Sequence, residues 1–411
     1  MNHAPATCNE RRWLSIVGIG EDGVEGLSSL ARRLVASAEL VVGGARHLEL
    51  AKDLVKGRHL AWPSPMSDAF AEIERHRGRP VTVLASGDPF HFGVGKQLAE
   101  LVSPEEFICL PQPSAFSLAA ARMGWPIQDV ALVTLHGRAL HGVVRHLQPG
   151  ARILALSWDG ATPGKLAELL TARRMGQSRI TVLERMGGGG ERTRHTLAAP
   201  FDLQDITPLN TIAVEVVAES HASIIAQTPG LDDGFFEHDG QLTKREIRAV
   251  TLSSLEPRQN QLLWDVGLGA GSIAIEWLLT HPSMKAIGIE TRSDRADRAA
   301  RNAVSLGATQ LQIVQGRAPE ALAGLARPDA IFIGGGMTSE GVFEAVWNAL
   351  KPQGRLVVNA VSLETEARLT GYFSRFGGDL LRLQISRADK VGTAFGWRPA
   401  MPVTQWRVRK P

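Results

Sequence analysis

Cysteine is almost missing from this sequence: only Cys8 and Cys109 occur in 411 residues. That scarcity excludes a disulfide-built scaffold and a cysteine-based metal site, and it suits a reducing cytoplasm. No stretch approaches 18 uninterrupted apolar residues, so no membrane partner is expected. The opening segment, MNHAPATCNERRW, lacks the apolar core of a secretory signal. Short-period repeats and low-complexity tracts are absent too. His91, His136 and His141 stand at no convincing ligand spacing, so no metal is expected. Aromatic and basic side chains are not interleaved as in a nucleic-acid stacking platform, which argues against a nucleic-acid partner. Charge of one sign is scarcely in excess: the net is +3 and the pI about 9.0. Such a balance permits an anionic partner without demanding one.

What is present is glycine, at 42 residues, and a regular alternation of strand and helix patterns. The length calls for two or three domains. In the first half, WLSIVGIG, VTVLASGDP and FICLPQPS read as strands, and AFSLAAARMG as a helix that stops at Gly124. DVALVTLHG, ARILALSW, RITVLERMG and NTIAVEVVA follow as a more β-rich set. We read residues 13–225 as one domain of two α/β lobes, joined near Pro111–Pro113. Residues 226–242 are turn-rich and acidic and read as a linker. From residue 243 to 411, strands and helices alternate as in a doubly wound parallel sheet. Thr243 followed by Glu246 fits a capping box at the start of its first helix.

The chemistry-bearing stretch of the second half is LLWDVGLGAGSIAIEW, residues 262–277. Glycines are needed where a chain turns tightly beneath a ligand, and ligands of open α/β sheets sit beyond the carboxyl ends of the strands. The order is Asp265, Gly267, Gly269, Gly271. A dinucleotide fingerprint would set its third glycine one place later and has no acid two residues before its first. The pattern resembles the first motif of class I S-adenosylmethionine-dependent methyltransferases. That resemblance implies that Asp265 answers the ammonium of the cofactor and that Glu290, ending the next strand, accepts from its ribose hydroxyls. Glu290 would serve a dinucleotide equally well. Where such enzymes offer an acid to the adenine, this chain has Arg317, and the backbone of Ala318 is the substitute. Gly334–Gly336 close the fourth strand and leave room above the sheet.

In the first half, GIG at 18–20, SGDPFHFGVG at 86–95, QPSAFSLAAARMGWP, LHGR at 135–138 and LNT at 209–211 occur in the order that resembles the tetrapyrrole methylase family. Its class III fold also uses S-adenosylmethionine, held between two lobes. The resemblance places Gly87, Asp88, Ser114, Ala115, Asn210 and Thr211 at the cofactor. Asp88 also reads as a plain turn residue and Ser114 as a helix cap.

The two halves in this order, with the TKREIR segment at 243–248, resemble the fused decarboxylating precorrin methyltransferases of cobalamin biosynthesis, which places Thr243 at the cofactor as well as at the helix cap. That implies an α/β chain with an N-terminal class III domain and a C-terminal Rossmann-like class I domain, one S-adenosylmethionine in each. It implies methylation of a precorrin (6Y or 6B) at meso carbons 5 and 15, and decarboxylation of the ring C acetate. The C-terminal domain would act at carbon 15 and decarboxylate, the N-terminal one at carbon 5. No catalytic side chain is assigned. The substrate carries many carboxylates, for which Lys244, Arg245 and Arg248 are the candidate partners; the same cations also read as a solvated helix face. By analogy with both component families, a homo-oligomer is expected. Two other readings stay open: a methyltransferase for RNA or another substrate, and a non-catalytic scaffold on methyltransferase folds.

Overall fold

The computed structural model describes residues 12–411; Cys8 and most of the opening segment lie outside them. The described chain divides into two compact units. One comprises residues up to Leu140 and Gln148–Ser223, the other His141–Leu147 and Ile224–Pro411.

In the first unit, strands β1 (Leu14–Ile19), β2 (Leu40–Gly43), β3 (Arg58–Ala61), β4 (Val81–Ser86) and β5 (Phe107–Leu110) form a sheet in the order β3-β2-β4-β1-β5. Every pairing in it is parallel. Helices α1 (Ser29–Ser37), α2 (Ala45–Leu50), α3 (Ser67–Arg75) and α4 (Gly95–Leu101) cover its faces. Because strand side chains alternate, Leu14 and Ile16 of β1 pack with Ile73 and Leu98 on one face. Val17 and Ile19 pack with Ala31 and Val35 on the other. The chain then passes through Pro111–Pro113 into α5 (Ala115–Met123), capped by the Ser114 hydroxyl. Strands β6 (Ala131–Thr134), β7 (Arg152–Leu156), β8 (Arg179–Glu184), β9 (Arg192–Leu197) and β10 (Asn210–Glu215) make a mixed sheet in the order β6-β7-β10-β8-β9, and α6 (Thr162–Ala172) packs on β8.

Gly18 fixes how closely β1 and the turn after β4 approach. A Cβ there would lie 1.9 Å from the Gly87 carbonyl oxygen and 2.7 Å from Gln112 N. Both of those are backbone atoms, held by a 3.0 Å hydrogen bond between them. Gly18→Ala should therefore destabilise the first unit by roughly 1–3 kcal/mol or more. An unchanged unfolding temperature in calorimetry would show that the turn has room to move.

The second unit begins with α7 (Arg245–Leu255). Strands β11 (Leu262–Val266), β12 (Lys285–Glu290), β13 (Gln312–Gln315), β14 (Ala330–Ile333) and β15 (Arg355–Ala360) alternate with α8 (Ser272–Thr280), α9 (Ser293–Ser305), α10 (Val342–Ala349) and α11 (Leu363–Phe376). β16 (Asp379–Leu383), β17 (Ser386–Val391), β18 (Ala394–Pro399) and β19 (Val403–Arg409) complete it. The main sheet runs β13-β12-β11-β14-β15-β19-β16. Its first five strands are parallel, as the sequence predicts, but β19 inserts antiparallel between β15 and β16. Trp406 of β19 is fully buried, 5.9 Å between ring centroids from Tyr372 of α11, so the last strand is locked into the core.

Three expectations need correction. Residues 226–242 are not a free tether. Gly230 N and Leu231 N donate to the Glu276 carboxylate at 2.6 and 3.0 Å, and Asn302 bridges Glu237 N and O. Nor does the capping box form. The helix starts one residue later, Lys244 holds the cap position without a side-chain bond, and Glu246 pairs with Arg387 of β17. The first unit is also not one continuous span, since Val143 and Val144 are buried within the second unit and Arg145 Nη2 donates to Leu278 O at 2.7 Å.

Candidate functional site

Each unit carries its own cleft above the carboxyl ends of parallel strands. The first has a volume of about 1190 Å³ and the second about 960 Å³. Both lie near or above the top of the range of roughly 300–1,000 Å³ usual for one small molecule, so each has room for two. Among the described residues, no group of three or more His, Cys, Asp or Glu is placed to hold a metal ion.

In the first cleft the structure brings together Gly87, Ser114, Ala115, Asn210 and Thr211. Ser114 is buried, and its Oγ accepts from Ser117 N at 3.2 Å, so the cap is real and faces the cleft's floor. Asn210 donates through Nδ2 to Thr207 O at 2.8 Å, while its Oδ1 is buried with no partner. A ligand donor such as an adenine amino group would complete its hydrogen bonding. Asp88 does not line the cleft. Its Oδ1 accepts from Phe90 N at 2.9 Å and closes the turn, which is the plain reading of an Asp before Pro.

A polar cluster in this cleft escaped the sequence reading. His47 Nε2 lies 2.9 Å from Ser86 Oγ and 3.0 Å from Arg46 Nη2, and Arg46 also pairs with Glu21. Burial, and then the neighbouring Arg46 charge, push the imidazole down to about 4, so it is neutral at pH 7. Lys96, Arg138 and Arg185 add cations to the lining.

In the second cleft Gly267 and Gly269 line the turn from β11 into α8, opposite Gly334, Gly335 and Gly336 after β14, while Gly271, expected at the cofactor, caps α8 against Ala299 and does not line the cleft. Gly267 has φ of +79°, and a Cβ on it would stand 3.1 Å from Gly335 N. Only glycine satisfies both conditions. Glu290 is buried and pins the turn: Oε2 accepts from Gly269 N at 2.8 Å and Oε1 from Arg292 N at 3.0 Å. Each oxygen keeps a further lone pair for a ligand hydroxyl.

Asp265 is fully buried beneath the turn. One oxygen accepts from Ala274 N at 3.1 Å and the other has no partner. Burial raises its carboxyl to about 8; the Ala274 N–H opposes this in part and the Glu290 carboxylate adds to it. An ammonium is the group that would complete this acid, so the residues fit the methionyl end of S-adenosylmethionine. Thr243 and Ala318 line the same cleft, as does Arg317, which has no ion-pair partner among the described residues and reaches only Ser339 Oγ at 3.4 Å.

The three cations expected at the substrate separate. Lys244 lines the cleft, 3.5 Å from Asp233. Arg245 is exposed outside it. Arg248 is fully buried and bonded to Glu276 and Asp233, each at 2.8 Å, so it is a structural residue and not a surface for substrate. Sequence reasoning missed Asn359 of β15, Arg387 of β17 and Met401 of the loop before β19, which reach the cleft.

Residues 14–201 match the family of tetrapyrrole (corrin/porphyrin) methylases, and residues 234–410 match a precorrin methyltransferase domain. The chain is 55% identical to a precorrin-6Y C(5,15)-methyltransferase [decarboxylating] of Sinorhizobium sp, over 96% of this chain and 95% of that one. It is 40% identical to the protein of that name in Mycobacterium tuberculosis, over 96% and 99%. A probable cobalt-precorrin-6B C(15)-methyltransferase (decarboxylating) of Saccharolobus solfataricus is 33% identical over 40% of this chain and 89% of its own.

Proposed function

This chain belongs to the precorrin-6Y C(5,15)-methyltransferase (decarboxylating) family, and on that premise we propose how its two clefts divide the work. Each cleft takes one S-adenosylmethionine. The first unit methylates carbon 5 of the precorrin, and the second methylates carbon 15 and removes the ring C acetate carboxyl. The observation that carries this reading is the pair of separate clefts, each with a buried side-chain oxygen that lacks a partner, Asn210 Oδ1 in one and Asp265 Oδ1 in the other.

The cofactor, when bound, supplies an electrophilic methyl carbon. The chain's own residues hold and orient. In the second cleft Asp265 takes the ammonium, Glu290 the ribose hydroxyls and the backbone at Ala318 the adenine. Lys244 and Arg317 are placed to meet substrate carboxylates by charge-assisted bonds, which gives the departure at Arg317 a use. In the first cleft Gly87, Ala115, Asn210 and Thr211 hold the cofactor, and Lys96, Arg138 and Arg185 face the carboxylates. Holding the reactants in line and excluding water supplies much of such a rate enhancement, which is why no triad is needed. The enzyme works in this reading as a cytoplasmic homo-oligomer, without nucleic acid.

Calorimetric titration with S-adenosylhomocysteine should give two sites per chain. Incubation with precorrin-6B should yield a product with two methyl groups gained and one carbon dioxide lost. A single site, or one methyl, would defeat the division of labour.

A further inference from the structure

We propose that Ser86 and His47 form the proton acceptor of the first cleft. The proposal rests on the reading that this unit methylates a meso carbon. A meso carbon carries one hydrogen. Once it has bonded to a methyl group, its C–H bond must break so that the electron pair restores the ring double bond, and a proton must go somewhere.

The geometry supplies a route for it. Arginine can only donate, so the 3.0 Å contact from Arg46 Nη2 makes His47 Nε2 an acceptor. The ring proton is then on Nδ1, which is buried with no partner. Ser86 Oγ, 2.9 Å from the same nitrogen, shares that lone pair as a second donor and itself accepts from Arg46 Nη2 at 3.3 Å. Ser86 is exposed at the end of β4, immediately before Gly87, and both it and His47 line the cleft. The hydroxyl therefore takes the proton from the substrate carbon as its own passes to Nε2, and the Arg46 N–H that held that lone pair turns to Ser86 Oγ, 3.3 Å away. Glu21, paired with Arg46, balances the guanidinium beside the imidazolium that forms. Because that imidazolium is a strong acid in this setting, it returns its proton to water and the pair is reset.

Three measurements on the whole chain test this. His47→Gln keeps an acceptor for Arg46 and Ser86 but cannot take up a proton; it and Ser86→Ala should each slow methylation of carbon 5 in single turnover by 100-fold or more. Methylation of carbon 15 and the two-site titration with S-adenosylhomocysteine should stay within twofold of wild type, which shows that both units are folded. With a substrate deuterated at carbon 5, both variants should gain a primary isotope effect, because proton removal has become limiting. Nitrogen NMR should find His47 protonated on Nδ1 in the unmodified chain. A fall of less than threefold, a slow variant without the isotope effect, or an Nε2-protonated ring would overturn the proposal. Gly87→Val, whose side chain would meet the Pro113 carbonyl, tests the underlying reading separately. If that chain still methylates carbon 5, the reaction does not belong to the first unit.

Discussion

Asp265→Asn should make the ligand-free enzyme more stable at pH 8 and bind S-adenosylhomocysteine more weakly in the second cleft. Both effects come from one carboxyl raised by burial from 3.8 to about 8. The folded state holds its proton where the unfolded state has lost it, so stability falls as pH rises from about 4 to about 8. Every pH unit across that window removes about 1.36 kcal/mol, so the cost at pH 8 is on the order of several kcal/mol. Asparagine removes that slope. Binding runs the other way. A ligand ammonium pairs with the ionised acid, so below pH 8 binding must release a proton, and affinity should rise up to about tenfold per pH unit. The variant loses that dependence and roughly 10- to 100-fold in affinity, the worth of a hydrogen bond to a charged group. Titration calorimetry at pH 6.5 and 8.5, in two buffers of different ionisation enthalpy, reads the proton directly. Equal slopes in the two proteins would mean that Asp265 does not meet the ammonium.

The turn that holds Asp265 was legible because each of its glycines answers a backbone requirement within seven residues. The parallel strands were legible for a similar reason: buried on both faces, they read as continuous apolar runs, as in Leu14–Ile19 or Ala330–Ile333. What escaped was polar or distant. β3 and β9 are edge strands whose residues are largely exposed, so RHLA and RTRHTL show no burial pattern. Every residue of β17 is exposed, yet it delivers Arg387 to the second cleft. His47 and Ser86 meet across 39 residues of chain, and no spacing rule joins them. The role of Arg248 is hidden in the sequence for the same reason. In TKREIR it looks like one of a set of solvated cations, and its partner Glu276 lies 28 residues on, inside an apolar helix.

That pairing sets the last expectation: Arg248→Met should destabilise the second unit by about 3–5 kcal/mol. The guanidinium is fully buried, donates to Glu276, Asp233 and the carbonyls of Leu231 and Thr243, and lies 4.8 Å from the centre of the Phe236 ring. Without it Glu276 keeps two backbone donors but stands as an uncompensated charge within α8, the helix that opens on the glycine turn. The cost lies in leaving that charge alone rather than in the pair's own attraction. Removing both charges, in Arg248→Met with Glu276→Gln, should therefore cost less than Arg248→Met alone, since glutamine can still accept from a backbone N–H. Urea unfolding followed through hydrogen exchange at the amides of α7 and α8 reports on this unit. The same loss should free the Thr243–Lys244 wall of the cleft, so carbon 15 methylation falls while carbon 5 methylation holds. If the double variant costs the sum of the two single ones, the residues are not coupled, and Arg248 stabilises by packing alone.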